Sequence, residues 1–118
     1  MMLSKIKKII ENNPVALATV MKNEKPNAVV LAFAKVVSDK EILLTDNYLR
    51  QTIRDLQKNK NVCLLVWDKK WQGYKIIGRA EYFTSGKWKK FVEQMKENND
   101  LPAKGAILIK ASKIIKAG

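Results

Sequence analysis

"LLTDNYLRQTIRDLQKNKNVCLLV", Leu43 to Val66, runs from an apolar segment through Thr45-Asp46-Asn47 into a stretch carrying Arg50, Thr52 and Arg54, then returns to a second apolar run. Its periodicity predicts strand, helix and strand, the helix over about Asn47 to Lys58 with Leu49, Ile53 and Leu56 on one face. The polar cluster at the first junction supports two readings. Asp46 or Asn47 caps an ordinary helix start with Arg50 and Arg54 solvated, or the helix N-terminus, Arg50 and a hydroxyl together seat a phosphate.

Working outward, "LSKIKKIIENN" places Leu3, Ile6, Ile9 and Ile10 at helical spacing, with Ser4 as a candidate cap and Pro14 as the stop. Two β-rich runs separated by Lys22-Asn23-Glu24-Lys25-Pro26 predict a hairpin over about Val15 to Val37, and "EILLT" gives the next strand. Beyond "VCLLVW", the run "GYKIIGRAEYF" reads as a long strand. Its Gly78 marks a bulge, a barrel corner or a close approach of another group. A helix over "KWKKFVEQMKENN" and a final strand over "GAILIKASKII" complete the pattern. The expected class is mainly β (α+β): a six-stranded antiparallel split β-barrel with flanking short helices, formed by residues 1–118 as one domain.

Composition removes several function classes. The chain has no histidine and one cysteine, Cys63, so it lacks the parts of the usual Ser or Cys triads and of zinc or iron–sulfur sites. Chemistry in such a domain falls to a bound organic cofactor that the protein positions. No apolar run reaches the ~20 residues that span a bilayer, the N-terminal segment lacks the form of a secretory signal, and a lone cysteine forms no internal disulfide. A soluble, cytoplasmic protein with no membrane partner is expected. The net charge of +12 is spread over lysines in nearly every segment, with guanidinium only at Arg50, Arg54 and Arg79. That pattern fits a solvated lysine coat better than a nucleic-acid reader, which leans on arginine forks. Trp67 and Trp71 flank Asp68-Lys69-Lys70 at a strand end, as an interface or pocket rim, whereas Trp88 falls on the apolar face of its helix.

The order of elements, together with "EILLTDNYLRQTIRDLQKNKNVCLLVW" and the Gly-x-Ala strand "YKIIGRAEYF", resembles the flavin-binding split β-barrel proteins related to pyridoxamine 5′-phosphate oxidase. The resemblance covers nearly the whole chain and implies flavin mononucleotide (FMN) as cofactor. It implies a phosphate seat at Arg50, Gln51 and Thr52, and a ring site at Val29, Val30, Leu31, Ala32 and Phe33 with Thr45, Asp46 and Asn47. It further implies a homodimer in which Leu101 and Pro102 approach the flavin of the other subunit. The oxidase proper carries an adjacent basic pair where this chain has Arg50-Gln51, and basic residues where it has Ala28, Val29 and Ala34. A small oxidoreductase or electron-transfer flavoprotein is therefore expected, with an unidentified redox partner. The alternatives are a basic nucleic-acid-binding barrel, or a flavin-free split barrel binding another phosphorylated small molecule.

Overall fold

The computed structural model describes residues 3–117. A 3₁₀ turn, Leu3–Ile6, leads into α1, Lys7–Glu11. The strands are β1, Val15–Val20; β2, Pro26–Leu31; β3, Lys35–Ser38; β4, Glu41–Asp46; β5, Asn61–Trp67; β6, Gly73–Phe83; and β7, Gly105–Lys116. Two further helices, α2, Gln51–Lys58, and α3, Gly86–Gln94, lie between β4 and β5 and between β6 and β7.

The strands form one antiparallel sheet in the order β2-β1-β5-β6-β7-β4-β3. Its two edges, β2 and β3, are consecutive in the chain and joined only by Ala32-Phe33-Ala34. The four steps from Leu31 to Lys35 reach at most about 14 Å, so the sheet must curl until its ends meet. The ends meet without pairing, and the barrel is split there.

The sheet has seven strands among the described residues, not six. The run "AVVLAFAKVV", read as one strand, breaks at Ala32–Ala34, where the chain leaves the β1 ladder at Leu31 and joins β4 at Lys35. α2 likewise starts at Gln51, four residues later than periodicity implied. The Asp46 carboxylate accepts the Leu49 N–H (2.8 Å), and the Asn47 side chain is drawn away to Asn98 and Pro102. Those bonds hold residues 47–50 in a turn, a local competition typical of Asp and Asn. At the other end of the chain, α3 stops at Gln94 and gives way to a 3₁₀ turn, Lys96–Asn98.

Leu3, Ile10, Leu17, Ile42, Leu44, Leu64, Ile76, Ile107 and Ile109 are fully buried in the main core. A second core, Leu43, Val92, Ala106 and Leu108, lies under α3 with Trp88 packed on it. Gly78 sits at the register shift between β6 and β7, where a Cβ would collide with the Lys110 carbonyl. The bulge and the close approach expected of this glycine are one feature. The free edge of β3 is blunted by α1, whose Glu11 carboxylate accepts the Val36 N–H at 2.9 Å.

Candidate functional site

At the split, β4 runs on past β3. The β3 ladder ends at Leu43, whereas pairing with β7 continues to Asp46. The far end of β4 thus presents an unpaired strand edge toward the Ala32–Ala34 link. Between them opens a cleft of about 350 Å³, lined by Val29 to Phe33 on one wall, by Thr45 and Asn47 to Leu49 on the other, and by Leu101 at the mouth. An apolar wall facing an edge with free backbone donors and acceptors suits a flat heterocycle, whose faces are apolar and whose rim is polar.

Val29, Val30, Leu31, Ala32, Phe33, Thr45, Asn47 and Leu101, singled out from sequence, all line this cleft. Asp46 points the other way. It is 2 % exposed, with one carboxylate oxygen accepting the Tyr82 hydroxyl at 2.6 Å and the other the Leu49 N–H. Burial, then the bond to and the charge of Asp46, push the Tyr82 phenol well above the usual tyrosine range. Asp46 is therefore a brace beneath the cleft, and its charge is turned away from any anion in it. Pro102 lends its carbonyl to the Asn47 amide at 2.7 Å, which ties the segment before β7 to the cleft floor.

The three residues expected to seat phosphate separate. Arg50 is exposed, immediately before α2. Gln51 donates instead to Asp55 (2.7 Å) and accepts from Arg54 (3.0 Å). Thr52, 2 % exposed, accepts from the Asn27 amide at 3.4 Å. Asn27 also donates to Thr19 (3.3 Å), whose hydroxyl donates to the buried Asp55 (2.7 Å). These contacts weld α2 to the β1–β2 hairpin.

Four participants escaped the sequence reading. Tyr48 and Leu49 line the cleft because residues 47–50 form a turn and not a helix. The aspartate three residues before Leu49 was the available signal, since an Asp side chain accepts from a backbone N–H two or three residues on, as at a helix N-cap. Tyr82 and Asn98 support the cleft from 36 and 51 or more residues away, and no local pattern announces them. Tyr48, 66 % exposed, has the Lys104 ammonium 5.6 Å from its ring centre. Among the described residues no cluster of acidic or cysteine side chains could hold a metal, and no helix is long and apolar enough to cross a membrane.

The same architecture occurs in solved structures. HupZ of Group A Streptococcus superposes with a TM-score of 0.89 over 98 % of this chain and 94 % of its own, at 22 % identity. An FMN-binding protein of Syntrophomonas wolfei gives 0.80 over 98 % and 86 %, at 21 % identity. At these identities the likeness establishes the fold. In sequence, an uncharacterized protein of Methanocaldococcus jannaschii is 32 % identical over 111 residues, 91 % of this chain and 74 % of that protein. The family model described as pyridoxamine 5′-phosphate oxidase matches residues 2–117, every strand of the split barrel included. With one profile running from before α1 to the end of β7, the chain belongs to the pyridoxamine 5′-phosphate oxidase family.

Proposed function

We propose that the cleft holds FMN and that the protein is a dimeric flavoprotein acting as an electron carrier or small oxidoreductase. The observation that carries this reading is the pairing of the Val29–Phe33 wall with the open edge of β4, in a chain of this family. The residues fit the cofactor. The wall takes the ring face, the edge takes polar ring atoms, and Arg50, exposed at the start of α2 and without a side-chain partner among the described residues, can pair with the phosphate. When bound, FMN supplies the redox chemistry, since no histidine and no acid–base pair lines the cleft.

The outer face of the sheet beside the cleft supports the dimer reading. Cross-strand partners there form two apolar rows, Val30–Ala16–Leu65 and Ala28–Ala18–Cys63. Val30 is 68 % exposed and Leu65 38 %. Small and apolar side chains over three adjacent strands make a flat surface that a second copy can cover by two-fold packing. Because Val30 belongs to both this face and the cleft, such a partner would also close the site.

Purified protein titrated with FMN tests the reading. Flavin absorption that co-elutes with the protein, or saturable quenching of FMN fluorescence at micromolar concentration, is expected. A colourless protein that leaves FMN fluorescence unchanged refutes it.

A further inference from the structure

Away from the cleft, the β1–β2 hairpin and α2 border a second, smaller cavity of about 220 Å³, lined by Lys22, Gln51, Arg54, Asp55 and Lys58. None of these residues lines the cleft. Gln51, Arg54, Asp55 and Lys58 share one flank of α2, because steps of three and four residues bring side chains together on a helix. Lys22 reaches the cavity from the hairpin tip, which the Met21 N–H closes by donating to the Lys25 carbonyl at 2.7 Å.

Three cations therefore converge beside one carboxylate, and that carboxylate is already engaged. Asp55 is 1 % exposed; one oxygen accepts the Thr19 hydroxyl and the other the Gln51 amide, each at 2.7 Å. An ionised carboxylate only accepts, so the Gln51 amide has one orientation, with Nε2 on Asp55 and Oε1 turned to the Arg54 guanidinium at 3.0 Å. The buried aspartate thus holds Arg54 in place through Gln51, and the other N–H groups of the guanidinium have no side-chain partner among the described residues. The ion pairs among those residues are Lys60–Glu81 and Lys89–Glu93, so Lys22, Arg54 and Lys58 belong to none. Glu24, the carboxylate nearest Lys22 in sequence, does not line the cavity.

We propose that this cavity is an anion site for a single phosphate group, separate from the flavin cleft. Cations gathered around a concavity concentrate a field that draws in a counter-ion, and a guanidinium already fixed by one contact is suited to pair with an oxyanion. The size limits the occupant, because pockets for organic ligands begin at about 300 Å³. A phosphate there bridges Lys22 on the hairpin to Arg54 and Lys58 on α2, elements that only the folded chain brings together. The group is either the free ion or the end of a phosphomonoester. The site stands whether or not the cleft takes FMN.

The test is urea unfolding of the full chain, at fixed protein concentration, in inorganic phosphate and in sodium chloride of equal ionic strength. The expected result is a midpoint that rises saturably with phosphate and not with chloride, as for a ligand that binds only the folded state. Kosmotropic stabilisation also raises the midpoint, but it does not saturate and is blind to a single side chain. Arg54→Gln should weaken the apparent phosphate affinity about tenfold, the worth of a hydrogen bond to a charged group. Lys90→Gln removes the same charge from α3 and should leave the response unchanged. A response to glycerol 3-phosphate as well assigns a phosphomonoester end, and a response to inorganic phosphate alone assigns the free ion. Equal midpoints in phosphate and chloride, or equal losses in the Arg54→Gln and Lys90→Gln variants, overturn the inference and leave the flavin site standing. A loss of FMN affinity in Arg54→Gln that riboflavin does not share also overturns it, because the cavity would then be the cofactor's own phosphate seat.

Discussion

Tyr82 and Asp46 offer the sharpest test of how the cleft is held. Their bond, at 2.6 Å, joins β6 to the end of β4 beneath the cleft floor, and the same carboxylate fixes the turn through the Leu49 N–H. Tyr82→Phe deletes one hydrogen bond to a charged group, worth about 1.5–3 kcal/mol. Asp46→Ala deletes two and strands the Tyr82 hydroxyl, so about 3–5 kcal/mol is expected, a large share of the stability of a domain this size. In urea titrations the double variant should cost less than the sum of the singles, by about the worth of the shared bond.

The same pair predicts an alkaline signature. The phenol is raised in the folded protein above its ordinary value of 10.0, by burial first and by Asp46 second. Above about pH 10 the unfolded chain has released this proton while the native state keeps it. The native state then binds more protons, so stability falls as pH rises, and the contribution is fully present below that value. The difference in unfolding free energy between wild type and Tyr82→Phe should therefore shrink above about pH 10. Additive single-variant costs, or a wild-type-minus-variant difference that stays flat into the alkaline range, would refute this account.

Arg50→Ala should weaken FMN binding by about 1.5–3 kcal/mol with little effect on riboflavin, which lacks the phosphate; equal losses for both would assign Arg50 a structural part. Gly78→Ala sets a methyl group against the Lys110 backbone, which cannot swing aside as a side chain can, and should cost about 1–3 kcal/mol in thermal or urea unfolding. A cost under ~0.5 kcal/mol, the range of an ordinary surface change, would show that the bulge yields. Ala18→Glu places a charge at the centre of the outward β2-β1-β5 face. Sedimentation should show wild type as a dimer and this variant as a folded monomer, and a wild-type monomer at micromolar concentration removes the dimer.

How much was legible depended on the range of the interaction. The apolar runs "VALATV" and "VCLLVW" announce strands, although burial alternates along both where the second reads as a buried strand, and the Val29–Phe33 wall could be named because a resemblance supplied its role. The break at Ala32–Ala34 was invisible, since Ala and Phe fit a strand as well as a link and only closure of the sheet decides between them. The start of α2 was misplaced because the Asn47 amide is captured by Asn98 and Pro102, partners no window of neighbouring residues contains. Gln51 and Thr52 were linked to phosphate by position. Whether a side chain faces a ligand or an internal network depends on Asp55, Asn27 and Thr19, assembled from three elements.

β7 is bonded to β6 on one side and β4 on the other, and it alone joins the two parts of the sheet. Until it docks, the β3–β4 hairpin has no neighbour on its β4 side, and Pro102, 55 residues from Asn47, is not in place. Pairings of that separation form late, because their loop entropy is spent before any contact repays it. The cleft is therefore absent from any partly folded state in which β7 is undocked. A ligand that recognises the finished cleft cannot hurry the chain toward it. Its stabilisation should fall on the escape rate, lengthening the lifetime of the folded protein while leaving the refolding rate where it was.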